Sequence, residues 1–142
     1  MQTTVYSFAD VSFTISHPKV GKFTATGEGI GSISIAMSND ATQHDVAADG
    51  SVMVSKITTE NGTIALAVQQ TSAFHKWMQK WNSYLKVAPT SEWAQTSAML
   101  KDPALGETIS ISGISPQKRA DAAYQQAGQQ VTWNLMAAKI IA

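Results

Sequence analysis

Period-two alternation of apolar and small polar residues constrains this chain more than any other feature. Ile33, Ile35 and Met37 alternate with Ser32, Ser34 and Ala36; Ile64, Leu66 and Val68 alternate with Thr63, Ala65, Ala67 and Gln69. Val131, Trp133 and Leu135 repeat the pattern around Thr132 and Asn134. Successive strand residues point to opposite faces, so each run predicts a strand buried on one side only. Val5, Phe8, Val11, Phe13 and Ile15 alternate less regularly, with Asp10 expected to mark a bend or bulge. Residues 17–31, with Pro18 and four glycines, predict an irregular connection or a weakly patterned strand pair.

Residues 38–49 break the alternation and predict an exposed loop longer than a tight hairpin needs. Val52, Val54 and Ile57 then precede Asn61-Gly62, whose tolerance of positive φ makes it the expected hairpin turn into the strand at 63–70. One amphipathic helix is expected over 74–85. Ser72 is its N-cap, Phe74, Trp77, Met78, Trp81, Tyr84 and Leu85 form its apolar stripe, and Pro89 is its stop. His75, Lys76, Gln79, Lys80 and Asn82 make the other, polar face. Residues 93–100 fit a short helix or a strand, and the turn signal from Asp102-Pro103 to Gly106, followed by Ile109 and Ile111, favours a hairpin. About eight strands and one helix predict a mainly β fold, a β-sandwich or barrel with the helix packed at one edge, in a single domain over 1–142.

Composition adds the expectation of an assembly. The chain is 44% hydrophobic but only 14% charged, whereas a soluble domain usually carries about 25% charged residues to hydrate its whole exterior. Much of this surface is therefore expected to be covered by copies of the same chain. Ten basic residues balance ten acidic ones, which leaves no net field to gather nucleic acid or anionic membrane. Without cysteine there is no thiolate metal site or disulfide framework. The opening residues lack the basic and apolar regions of a secretory signal, so the cytoplasm of the producing cell is expected.

Candidate chemistry is sparse. His17, His44 and His75 are the near-neutral acid–base groups, and their positions on a connection, a loop and a polar helix face predict that they do not converge. No catalytic site, metal site or cofactor is expected. His44-Asp45 beside Asp40 fits a solvated loop better than a hydrolytic pair, and Gly27 to Gly31 fits a bending strand entrance better than a phosphate loop. The Trp77, Trp81, Tyr84 stripe fits core better than a sugar platform. Lys118, Arg119 and Lys139 fit solvated or interface-paired cations better than phosphate ligands. What remains is an uncharged strand face made by Ser32, Ser34, Ala36, Ala65, Ala67, Gln69, Thr132 and Asn134, suited to the wall of a channel.

Four stretches, 6–18, 27–57, 61–72 and 123–140, carry a resemblance to a known group, most specifically through Ala48-Asp49-Gly50-Ser51 and Gln69-Gln70-Thr71-Ser72. The chain resembles the tail tube proteins of contractile-tailed bacteriophages, which share a fold with the tube of the type VI secretion system. The resemblance implies stacked hexameric rings with a continuous β-barrel lining the lumen and a helix outside it. Lumen strands are then expected around 30–37, 52–57, 63–70 and 130–135, with Ser32, Ser34, Ala65, Ala67, Gln69, Thr132 and Asn134 facing the bore. Ring-to-ring contact is expected from Asn39, Asp40, Gln43, His44 and Asp45. Implied partners are further copies of the chain, a tail sheath protein, baseplate and tail terminator proteins, and phage DNA in transient passage without specific binding. The subunit is not expected to insert in a membrane. The implied location is the virion tail, assembled in the bacterial host cytoplasm. The tube of a tail-like particle or type VI-like secretion system is the nearest alternative; a carbohydrate-binding β-sandwich and a hydrolase built on His44 and Asp45 are remoter ones.

Overall fold

The computed structural model describes residues 2–27, 29–122 and 124–142. A short 3-10 turn at Phe8–Asp10, capped by the Ser7 hydroxyl, precedes β1 (Ser12–His17) and β2 (Gly21–Ala25). There follow β3 (Ile30–Met37), β4 (Thr42–Val46), β5 (Val52–Lys56), β6 (Gly62–Gln69) and α1 (Ala73–Val87). After a second 3-10 turn at Thr90–Glu92, the chain ends in β7 (Thr96–Asp102), β8 (Glu107–Lys118) and β9 (Gln130–Ile141). Seven strands form one curled antiparallel sheet in the order β2-β1-β7-β8-β9-β6-β3; β4 and β5 pair only with each other.

The alternating runs fold as expected because one face of each is covered. Ile64, Leu66 and Val68 on β6 and Trp133 and Leu135 on β9 are almost fully buried, beside Phe13 and Ile15 on β1. α1 lies on that face and contributes Phe74, Met78, Trp81 and Leu85, each at most 2% exposed. Burial contributes roughly 1.5–3 kcal/mol per such side chain, so packing of this stripe, more than intrinsic propensity, holds the helix in place. Ser72 caps it by accepting from the His75 amide at 3.2 Å, as expected of an N-cap. Of the aromatic stripe only Trp81 is core, fully buried, donating to Thr96 Oγ1 at 2.8 Å and stacked on Trp77, while Trp77 and Tyr84 are half-buried against it. An indole so enclosed offers no platform for a sugar.

β8 bends where its register against β7 shifts. Between the pairs Thr96↔Ile114 and Ala98↔Ile111, Ser112 and Gly113 stand opposite Ser97 alone. Gly113 takes φ +67, the left-handed conformation that such a bulge uses and that a side chain disfavours. Further bulges at Gly31 in β3 and Gln117 in β8 add to the curl.

Several expectations are corrected here. The strand near Val52 does not lie beside the others in the main sheet; the neighbours of β6 are β3 and β9, and β8 lies beyond β9. Asn61-Gly62 is not a hairpin turn, because β5 and β6 belong to different sheets. Residues 38–49 are not a loop throughout, since Thr42–Val46 is strand β4, and the real turn of that hairpin is at Asp49-Gly50. β1 begins only at Ser12, after Asp10 has closed the 3-10 turn. The segment 17–31 contains β2, paired in register with β1 from Phe13↔Ala25 to His17↔Gly21. His75 and Asn82 are buried, not members of the exposed helix face.

Candidate functional site

Two surfaces stand out, a broad sheet face and a projecting hairpin. Register places Ser32, Ala67 and Thr132 in one row across β3, β6 and β9, and Ser34, Ala65 and Asn134 in the next. Gln69 pairs with Gln130 at the end of the same face. All seven residues expected to face the bore therefore share one sheet face, on the side away from Ile64, Leu66, Val68, Val131, Trp133 and Leu135. They are exposed or half-exposed. The rows carry hydroxyl, amide and methyl groups and no charge across these three strands; the first cation is Lys118, paired with Asn134 on β8. β3 is an edge strand, so one side of its backbone has no sheet partner within the subunit.

The glycines before β3 serve backbone geometry. Gly29 has φ +76, its carbonyl accepts from the Gln69 amide at 2.7 Å, and a Cβ there would stand 2.6 Å from Ser72 Cβ. The expected strand entrance with close backbone approach is present, and it leads into a strand with no helix for a phosphate to cap.

β4 and β5 pair with each other and with no strand of the main sheet. At the base of this hairpin the Asn39 side chain donates to the Asn61 side chain at 2.9 Å, and Ser38 N donates to Asn61 O at 3.1 Å. At its tip Asp49 Oδ1 accepts from the Ser51 amide at 3.0 Å and the Ser51 hydroxyl at 2.6 Å, which holds the Asp49 carboxyl below its ordinary pKa. Gly50 supplies the turn with φ +89. Paired residues share a face, so Val46, Val52, Val54 and His44 lie on one side and Asp45, Met53, Gln43 and Ser55 on the other. Every residue of both strands is exposed. Of the five expected contact residues, Gln43, His44 and Asp45 are thus on strand β4, while Asn39 and Asp40 are at its root. The Asp49-Gly50 pair flanked by Val46 and Val52 was the signal that locates this hairpin.

The three histidines stay apart. His17 ends β1, with Nε2 donating to Glu92 O at 3.1 Å while Nδ1 accepts from Lys19 N at 3.1 Å. His75 accepts at Nδ1 from Trp133 Nε1 at 3.1 Å; burial first, and the nearby Arg119 charge second, lower its pKa and keep it neutral. His44 is exposed on β4. Among the described residues no three His, Asp or Glu side chains gather as a metal would need, and no helix is long and apolar enough to cross a membrane.

Solved structures share this fold across nearly the full chain. A chain of the PVC extracellular contractile injection system, from its sheath/tube terminator in the extended state, aligns with TM-score 0.56 and 15% identity, covering 99% of this chain and 96% of its own. A chain of the anti-feeding prophage cap, described as the tube terminating cap, gives TM-score 0.55 and 12% identity over 99% and 91%. A chain of the PVC sheath-tube complex in the extended state gives 0.51 and 14% over 91% and 86%. At these identities the likeness establishes the fold. No curated protein sequence matches the chain. The sequence match is to a family of tube proteins and runs over residues 2–142. The chain belongs to the bacteriophage PhiTE tail tube protein family.

Proposed function

We propose that this tail tube protein acts as a single domain that closes into hexameric rings, which stack into the inner conduit of a contractile tail. The observation that supports this most is the uncharged face of β3, β6 and β9 ending at an edge strand without a partner. An isolated edge of this kind exposes backbone donors and acceptors, and pairing with a neighbouring copy around a closed ring removes them from solvent. The small neutral face then lines the bore, with Ser32, Ser34, Ala65, Ala67, Gln69, Thr132 and Asn134 toward the lumen. DNA affinity comes mainly from phosphate neutralisation by cations, so such a wall lets the genome pass without holding it. The hairpin bearing Gln43, His44 and Asp45, rooted at Asn39 and Asp40, makes the contact between rings.

The tube acts without bond chemistry. Sheath, baseplate and terminator proteins are its partners in this reading, in keeping with the sheath-tube, terminator and baseplate assemblies in which the fold neighbours occur. Assembly takes place in the bacterial host cytoplasm. Negative-stain electron microscopy of concentrated purified protein tests the reading: hollow rings or tubes are expected, and a persistent monomer at high concentration overturns it. The fold neighbours also favour a second reading, the tube of an injection particle without a genome. Capsid and portal genes beside the tube gene distinguish the virus from the particle.

A further inference from the structure

We propose that the tip of the β4–β5 hairpin of one copy seats in a basic cleft beside the start of α1 on another copy, with Asp45 and Asp49 facing Lys76 and Arg119. The inference rests on the tube reading above and names the surface that receives the hairpin.

Charge is balanced over the chain but segregated within it. Residues 38–61 hold four acids, Asp40, Asp45, Asp49 and Glu60, against one base, Lys56. α1 holds three lysines and no acid, and β8 ends at Lys118 with Arg119 next. A cleft of about 340 Å³ lies where these meet, lined by Lys76, Gln79, Arg119, Tyr124 and Val131 among others. Asp121 also lines it but is held by Lys118 at 3.4 Å, the one ion pair among the described residues. Among the described residues, Lys76 and Arg119 therefore face the cleft without a carboxylate within ion-pairing distance.

Position matches charge. The hairpin leaves the sheet next to Gly62, at the start of β6, whereas the cleft borders Gln70 and Thr71, just past its end. An acidic projection and a basic recess at opposite ends of one strand suit a heterologous, head-to-tail contact, which repeats from copy to copy without closing and so builds a filament. The hairpin also needs a partner on physical grounds, since two strands alone are marginal in water and Val46, Val52 and Val54 are 64%, 50% and 62% exposed. A tip inserted in the cleft turns Asp45 and Asp49 to the cations and covers Val46 and Val52, which lie on the face of the hairpin opposite Asp45.

The chain has no cysteine, so an introduced pair reports the contact cleanly. Tubes of the double variant Asp49→Cys with Lys76→Cys are expected to yield, on mild oxidation, a ladder of covalent multimers, while each single variant stops at dimers. Independently, Lys76→Glu with Arg119→Glu is expected to shorten tubes at least tenfold, and adding Asp45→Lys with Asp49→Lys to restore them. Tubes of the double-cysteine variant that give no ladder, or tube length unchanged by Lys76→Glu with Arg119→Glu, overturn the docking and leave the tube reading standing. Failure of the wild-type chain to form any ring or tube overturns the tube reading and this inference together.

Discussion

Trp133 on β9 donates its indole N–H to Nδ1 of His75 on α1 at 3.1 Å, and both side chains are buried with ring centroids 5.9 Å apart. This bond ties the sheet strand whose outer face carries Thr132 and Asn134 to the helix behind it. It works only while Nδ1 keeps its lone pair, that is, while the imidazole is neutral.

The bond makes subunit stability sensitive to acid. Burial, then Arg119, lowers the His75 pKa in the fold, so the unfolded chain binds the proton more readily. The stabilisation is complete above the ordinary imidazole pKa of about 6.5 and is lost as pH falls through the lower folded value. Thermal midpoints of dilute, unassembled subunit are expected to drop between about pH 7.5 and about pH 5, with a flatter profile in His75→Gln. His75→Ala, which strands the buried indole N–H, is expected to cost about 1–3 kcal/mol in denaturant unfolding at neutral pH. Equal pH slopes in wild type and His75→Gln contradict the assignment.

Gly113 is the position where the bend of β8 depends on one residue. An added Cβ meets Ala138 Cβ at 2.5 Å, and the left-handed backbone at φ +67 adds its own penalty of about 1–2 kcal/mol. Gly113→Ala is therefore expected to lower the chemical-denaturation midpoint of the subunit markedly. Gly106→Ala provides the contrast: it shares a positive φ of +71 but meets nothing within 4 Å, so its loss is confined to the backbone term.

What the sequence reveals, and what it hides, follows from where burial acts. β6 and β9 are legible because each has one face against the core, so Ile64-Leu66-Val68 and Val131-Trp133-Leu135 must alternate. The members of the uncharged face follow from the same rule. β4 was not legible as a strand because the hairpin touches no core and nothing forces its residues to alternate. Val52 and Val54 predict a strand beside β6 in the main sheet, yet they are exposed on an arm that the subunit leaves uncovered. Asn61-Gly62 carries a hairpin signature, but here Asn61 clamps the arm to Asn39 and Gly62 lies in β6, where a Cβ would strike the Ala36 carbonyl. His75 looked solvent-facing because its partner, Trp133, is 58 residues away.

Ser34 tests the orientation of the sheet. It stands in the row with Ala65 and Asn134, on the side away from the core. Ser34→Glu is expected to change subunit stability by less than about 0.5 kcal/mol, as exposed substitutions usually do, and to leave tubes able to form around a negatively charged bore. Circular dichroism melts and electron micrographs of the same preparation check both parts. Loss of the fold means the two sheet faces have been exchanged; a folded subunit unable to close rings means this face meets another protein surface and not water.

The hairpin separates folding from assembly. It shares no strand pairing with the seven-stranded sheet, and all residues of β4 and β5 are exposed, so its removal takes little from the core. Its root is already closed by the Ser38 to Asn61 and Asn39 to Asn61 bonds, which gives a short Gly-Ser bridge between residues 39 and 61 an unstrained span. Such a variant is expected to keep its helix and sheet signals and to melt within a few degrees of the wild type. Sedimentation is expected to show rings without extended tubes, because pairing at the β3 edge is untouched while the contact between rings is gone. Unfolding of the variant contradicts the hairpin's independence from the core, and full-length tubes place the contact between rings elsewhere on the subunit.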